Sequence, residues 1–437
     1  MSENEIVIQS PWWADKARIY EDEKVRRAVE RKHRLLYTFE PGNFLLVGPR
    51  QVGKTTYLKL LVKELLERGE RPRNILYFAC DLLREDRQIA ELVRRFDSLA
   101  GPGQKFVFLD EVTAVDGWER AVKFLLDSNM LKDKYLYVTG SSSVGLKKER
   151  FPGRPIKIRE FMPLSFRGFC RLFGSEQLKE SLGTLELKAR AVFEFARALL
   201  PFQDELDRLF NSYLACGGYP AAFFELLEEG EIRDETYRAL HDATVFDMTK
   251  LGRSEKITTS ILLGLLRRYG SRFSLNSLAK EMEIGSHLTV RDYLELMEGL
   301  CIIRNYHQLD PAKRVPLYRK ERKVYFTDPF LCQTFSRILN FKPDPAQLVE
   351  GVVGEHLSRC FEVYFHAGRR EVDFVCGDAA IEVKWQERTS PADFPRVPFP
   401  NRILLCRSGL EYVEERKLAM VPAPVFLAGL EEASSNL

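Results

Sequence analysis

The chain has 437 residues, 45% of them hydrophobic and 11% aromatic, which is enough apolar surface for several cores and too much for a disordered chain. At roughly 150 residues per domain, that length allows about three domains. A net charge of only +3, with 30% charged residues, excludes a uniformly basic nucleic-acid binder, so any DNA contact must come from local patches. The N-terminus MSENEIVIQS lacks a basic-then-apolar signal pattern, and no apolar run approaches the ~20 residues of a membrane span. None of the eight cysteines pairs with another at C-x-x-C spacing, which argues against zinc. The expectation is a cytoplasmic protein with reduced thiols and no membrane partner.

Four short β-branched runs mark the first third: FLLV ending at Val47, ILYFA at Ala79, FVFLD at Asp110 and YLYVT at Thr139. Helically periodic stretches separate them, which predicts a parallel sheet covered by helices. Gly48, Pro49, Arg50, Gln51, Val52, Gly53, Lys54, Thr55 and Thr56 follow the first run and open the helix TYLKLLVKELLERG. This is the G-x-x-x-x-G-K-[ST] phosphate loop in its strand-to-helix context. The glycines and the helix N-terminus cradle phosphates, Lys54 reaches the β- and γ-phosphates, and the Thr55 hydroxyl ligates Mg²⁺, so the cofactors are ATP and Mg²⁺. Asp110 would hold the Mg²⁺ shell and Glu111 would activate the attacking water. ILYFA lies between these two strands in sequence, and ATPases with a catalytic Glu carry an extra strand between them in the sheet. Thr139, Ser141 and Ser142 are candidates for sensing the γ-phosphate. Arg154, with Arg150 as competitor, is the candidate arginine finger, acting in cis or from a neighbour in a homo-oligomer.

From Met162 to about Tyr306 the chain reads as helical. Phe273–Tyr306 gives a short helix, the turn IGSH and a second helix whose start carries His287, Thr289 and Arg291, which is a helix-turn-helix pattern. Asp292, Glu295 and Glu298 on that helix work against deep groove insertion. Lys313, Arg314, Arg319, Lys320, Arg322 and Lys323 follow as a basic hairpin suited to phosphates. Strands return from Lys323, after which a helix over about 345–359 precedes further strands, and 389–400 reads as a loop. Glu382 and Lys384 share a strand face, Asp373 lies nine residues before Glu382, and Glu355 sits on the preceding helix. Carboxylates with a lysine on adjoining elements suit a metal-dependent nuclease. Glu355, Asp373 and Glu382 would hold Mg²⁺ or Mn²⁺, and Lys384 would stabilise developing charge.

Taken together, LLVGPRQVGKTT, FLDEV, YVTGSSS, Gly153–Arg154, PLSFRGF and YLACGGYP resemble, in this order, archaeal-type ATPases of the AAA superfamily related to the STAND ATPases. The resemblance spans about residues 10–300 and implies that Gly218 and Pro220 begin a lid helix against the adenine. PWWADK resembles the family's lead-in, so Trp12 or Trp13 could lie near the base, although a core anchor is the commoner use. The order E…D…E-x-K resembles the PD-(D/E)XK, restriction-endonuclease-like superfamily over about 345–437, with Val372 where Pro is usual. The expected fold is α/β: an ASCE-type parallel-sheet P-loop ATPase core over 1–160, a helical lid over 161–250, a winged helix-turn-helix over 251–330 and a nuclease-like α/β domain over 331–437. The implied function is ATP hydrolysis coupled to metal-dependent DNA cleavage. Without cleavage, the same parts make a nucleotide-controlled switch or a DNA-binding regulator, with a protein partner left open.

Overall fold

The computed structural model describes residues 3–35, 37–140, 151–368 and 370–431. They form two compact units, one up to Met162 and one from Pro163 onward. In the first unit the strands are β1 (Phe44–Val47), β2 (Ile75–Ala79), β3 (Lys105–Asp110), β4 (Lys134–Gly140) and β5 (Lys157–Glu160). All pair in parallel, in the order β2-β3-β4-β1-β5. Helices Lys54–Glu67, Asp86–Leu99 and Trp118–Asp127 connect them. Each turns one apolar stripe to the core, as with Ile89, Leu92, Val93 and Phe96 at i, i+3, i+4 and i+7.

The sheet order corrects one expectation. ILYFA, as β2, is an edge strand, and the strand between β1 and β3 is β4. Sequence order therefore misplaces the inserted strand, which follows the acidic strand in the chain. The edge position of β2 has its own cover: the indole N–H groups of Trp12 and Trp13 both donate to the Ile75 carbonyl, at 3.0 and 2.8 Å. Both tryptophans are buried, so the lead-in segment serves as a core anchor.

The second unit opens with helices, among them Gln203–Cys216, Pro220–Phe224, Asp234–Lys250 and Glu255–Arg267. Helices Leu275–Glu281 and His287–Gly299 follow, then β6 (Ile303–His307), β7 (Leu309–Asp310), β8 (Val315–Pro316) and β9 (Arg322–Phe326). β6 pairs antiparallel with β9, and β7 with β8. Helices Pro329–Ile338 and Pro345–Cys360 lead into β10 (Tyr364–Ala367), β11 (Glu371–Cys376), β12 (Ala379–Lys384), β13 (Asn401–Cys406), β14 (Glu411–Val413) and β15 (Leu418–Pro422). These six strands form a mixed sheet in the order β10-β11-β12-β13-β15-β14. A two-residue turn joins β11 to β12, with Gly377 at φ +54°, a left-handed conformation that a tight hairpin of this kind requires. Among the described residues no helix is long and apolar enough to cross a membrane.

Candidate functional site

The phosphate loop runs from the end of β1 into helix Lys54–Glu67. Gly53, at φ +95°, caps that helix, and Gln51 also has positive φ, at +64°. Gly48 is required by close approach: a Cβ there would lie 2.0 Å from the Phe161 carbonyl oxygen. Val52 is buried, whereas Arg50, Thr55 and Thr56 are partly exposed and Gln51 is exposed. Lys54 is buried, and its Nζ donates to the carbonyls of Gly48 and Pro49 at 2.8 and 2.7 Å. A phosphate oxygen entering the loop would compete with these two carbonyls for the ammonium.

Asp110 ends β3, two strands from the loop, and is buried. The Thr139 hydroxyl, on the intervening β4, donates to Asp110 Oδ1 at 2.5 Å and accepts the Glu111 N–H at 2.9 Å. The Tyr77 hydroxyl donates to Asp110 Oδ2 at 2.7 Å. Burial and the neighbouring Asp110 carboxylate push the Tyr77 phenol well up, so it remains a donor. Glu111 is held in a left-handed conformation, at φ +52°, and its Oε1 accepts the Thr113 hydroxyl at 3.1 Å. Thr139 thus ties the Asp110–Glu111 pair together and is fully buried. Each Asp110 oxygen accepts one hydroxyl, which leaves lone pairs suited to a Mg²⁺ shell. Ser141, Ser142 and Arg150 lie outside the described residues.

Arg154 makes a two-pronged bond to Asp127, with Nε and Nη2 at 2.8 and 2.7 Å from its carboxylate oxygens. This bond holds the Asp127 carboxyl below its usual range. Gly218 and Pro220 belong to the second unit, where Pro220 starts a helix and the Gly218 N–H donates to Asp328 Oδ2 at 2.9 Å.

In the C-terminal sheet the β11–β12 register sets Asp373 opposite Glu382, and the Val383 N–H donates to Asp373 Oδ2 at 2.9 Å. Lys384 Nζ lies 2.5 Å from Glu382 Oε1, as their shared strand face predicts. Glu382 is buried, and its Oε2 has no hydrogen-bond partner. Burial and the neighbouring Asp373 push the Glu382 carboxyl up to about 7.

Glu355 requires a correction. Its carboxylate, 1% exposed, is held by Arg304 Nε at 3.0 Å and Arg359 Nε at 3.2 Å. The helix residue that joins the centre is Glu350. Five residues at 3.6 per turn rotate the side chain by about 140°, so only one of the two glutamates can face the sheet. Lys323, on β9, joins it there: its ammonium, 1% exposed, lies 2.8 Å from Glu350 Oε1, 2.6 Å from Glu371 Oε1 and 3.0 Å from Asp373 Oδ1. The Tyr325 hydroxyl, two residues along the same strand face, also donates to Glu350. Burial disfavours the charged form of Asp373, but Lys323 and the Val383 N–H outweigh it and hold Asp373 below its usual range. Among the described residues, no group of three or more His, Cys, Asp or Glu side chains is gathered closely enough to hold a metal ion.

The basic hairpin is also only partly as expected. Arg322 and Lys323 are buried and Arg314 pairs with Asp378 at 2.7 Å, while Lys313, Arg319 and Lys320 are exposed around Tyr318, which is 65% exposed.

Residues 41–170 match the family model of an AAA domain, and residues 207–342 match a domain of unknown function. With the all-parallel sheet and its phosphate loop, this makes the first module a P-loop ATPase of the AAA type. The uncharacterized protein MJ1544 of Methanocaldococcus jannaschii is 24% identical over 392 residues, covering 85% of this chain and 78% of its own. Among solved structures, the Aeropyrum pernix ORC1 protein in complex with DNA aligns at 16% identity and TM-score 0.31, over 75% of this chain and 96% of its own. The Thermotoga maritima RuvB Holliday junction branch migration motor aligns at 16% and 0.27, over 79% and 96%.

Proposed function

We propose that the chain binds and hydrolyses ATP in its first unit and uses that cycle to control a DNA-directed, nuclease-like centre in its second. The observation that carries the ATPase reading is the Thr139 hydroxyl, which bonds both Asp110 and the Glu111 backbone on the strand beside the phosphate loop. In this reading the loop residues 48–56 wrap the phosphates, and Lys54 exchanges its loop carbonyls for phosphate oxygens. Thr55 and Asp110 would hold Mg²⁺, which neutralises charge on the phosphates, and Glu111 orients water and takes its proton. Arg154 serves as the finger after leaving Asp127, in cis or from a second copy. Gly218 and Pro220 open helix Pro220–Phe224 of the second unit.

For the second unit, the nuclease reading is supported by the convergence of Glu350, Asp373, Glu382 and Lys384, and by the buried Glu382 Oε2 that has no partner. The donors are all oxygen, the type that Mg²⁺ and Mn²⁺ prefer, but they are not gathered closely enough to hold the ion while the Lys323 ammonium lies among them. A bound divalent ion would activate water and stabilise the phosphorane charge. Asp373 and Glu382 would hold it, and Lys384 would orient the nucleophile. The exposed Lys313, Arg319 and Lys320 supply phosphate contacts. A second reading, a nucleotide-controlled binding switch without cleavage, is favoured by one observation: the Lys323 ammonium holds Glu350 and Asp373.

The test is cleavage of labelled single-stranded, duplex and branched DNA with Mg²⁺ or Mn²⁺, with and without ATP. Wild type, Lys54→Ala and Asp373→Asn are compared, with ATP turnover measured in parallel. Loss of turnover in Lys54→Ala is expected, and wild-type turnover there would reject the ATP site. Cutting lost in Asp373→Asn while its ATP turnover is kept establishes the nuclease, and altered cutting in Lys54→Ala establishes that the cycle controls it. Intact turnover with no cutting under any condition leaves the switch.

A further inference from the structure

The C-terminal centre carries a feature that a metal-dependent nuclease does not need: a buried lysine brought in from outside the carboxylate sheet. Lys323 comes from β9, which pairs with β6 and not with β11 or β12. Its ammonium has three carboxylate oxygens within 3.0 Å, from Glu350, Glu371 and Asp373. Those three carboxylates arrive from two different elements, helix Pro345–Cys360 and β11. Three oxygens around one buried positive centre is the arrangement that a hard cation takes, but the spacing is that of an ammonium. Nitrogen-to-oxygen distances of 2.6–3.0 Å are longer than the roughly 2.1 Å of Mg²⁺–oxygen bonds, so the carboxylates stand too far apart to ligate a metal while Lys323 is among them.

Glu382, the remaining carboxylate of the centre, pairs with Lys384 through Oε1 alone. The atom left over is Glu382 Oε2, buried and without a hydrogen-bond partner. An unpartnered buried carboxylate oxygen beside Asp373 is costly unless it is protonated or a further positive centre takes the proton's place.

We propose that Lys323 is a resident cation that competes with divalent metal for this centre. With Lys323 in place Glu350 and Asp373 are committed to its ammonium. With Lys323 withdrawn, those two carboxylates and the orphaned Glu382 Oε2 close on Mg²⁺ or Mn²⁺. The competing cation is thus carried by the β6–β9 pair and not by the carboxylate sheet itself. This inference rests on the nuclease-like reading and adds the control of that site.

The experiment is Mn²⁺ binding to the nucleotide-free full chain, read by isothermal titration and by the spin-resonance signal of free Mn²⁺. Binding abolished by Asp373→Asn is counted as binding at this centre. Lys323→Met is expected to bind Mn²⁺ at least tenfold more tightly than wild type, whereas Lys323→Arg, which keeps a cation, stays near wild type. The double variant Lys323→Met/Glu371→Gln removes one charge of each sign, guards against failure of the single variant to fold, and is expected to show the same gain. Equal affinity in wild type and both Lys323→Met proteins overturns the inference and leaves the nuclease reading standing. Absence of any Asp373-dependent binding, in wild type and variants alike, overturns both.

Discussion

A single hydroxyl carries much of the order around the acidic pair. Thr139 gives its proton to Asp110 and takes one from the Glu111 backbone, so one of the three candidates for sensing phosphate also ties the Asp110 carboxylate to the Glu111 backbone. Thr139→Val keeps the shape but removes one hydrogen bond from the part-buried Glu111 N–H and one from the buried Asp110 carboxylate, worth roughly 1–3 kcal/mol apiece. We expect turnover to fall about 10- to 100-fold, the range that 1.4–2.7 kcal/mol of lost positioning gives, with nucleotide affinity within a few-fold. Thr139→Ser should restore turnover, because the hydroxyl suffices. Parallel measurements of kcat and nucleotide Kd decide it: a large loss of affinity with unchanged kcat would make Thr139 a ligand contact instead of an anchor. The phosphate loop and the DE pair were legible from spacing alone, because their chemistry depends on contiguous residues. Glu350 was not. The helix around it is buried without a break from Gly351 to Leu357, so periodicity marks no face and cannot choose between Glu350 and Glu355. Lys323 was hidden for a related reason, as a lysine in a basic run reads as solvated until the strand carrying it is seen to be buried along its length.

At the scale of elements, apolar runs revealed β1 to β4, while β5 escaped because KIRE, at the sheet edge, has no apolar run to read. The turn before helix Pro220–Phe224 shows what a local reading leaves out. Its fixing point is Asp328, distant in sequence, which caps helix Pro329–Ile338 through the Phe330 N–H at 2.7 Å and also accepts the Gly218 N–H at 2.9 Å. Gly217 must be glycine there, as a Cβ would lie 1.8 Å from Asp328 Oδ1 and its φ is +57°. Burial pushes the Asp328 carboxyl up to about 7 from an ordinary 3.8, against the pull of its two N–H donors. The folded state therefore holds this proton more tightly than the unfolded chain. The stability that Asp328 contributes is full below about pH 4, declines as pH rises towards 7 and is level above that. Asp328→Asn should lack this decline, and the difference between the two proteins should drift by up to a few kcal/mol across the window, at about 1.4 kcal/mol per pKa unit. Asp328→Ala strands both N–H groups and should cost roughly 2–4 kcal/mol below about pH 4, a cost that shrinks as pH rises towards 7. Urea unfolding of the three proteins at several pH values checks both, and parallel curves for wild type and Asp328→Asn would show that Asp328 is ionised throughout.

For the whole molecule, a net charge of +3 makes DNA affinity a question of where the basic residues stand. The hairpin reading offered six, but Arg322 and Lys323 are buried and Arg314 is paired with Asp378. Lys313, Arg319 and Lys320 remain exposed beside Tyr318, an aromatic 65% exposed. If these three neutralise phosphates, each releases counterions on binding, and the dependence of log affinity on log salt should carry about 0.9 per contact. Replacing all three with alanine should then lower that slope by about 2.7 on duplex DNA, with Arg314→Ala changing it less, since its charge is already partly met. Titrations between about 50 and 200 mM salt resolve such a change. An unaltered slope would move the contact surface from the hairpin to the start of helix His287–Gly299. There His287, Thr289 and Arg291 stand, although Arg291 lies within 3.2 Å of Asp292, a pairing that any phosphate would first have to displace.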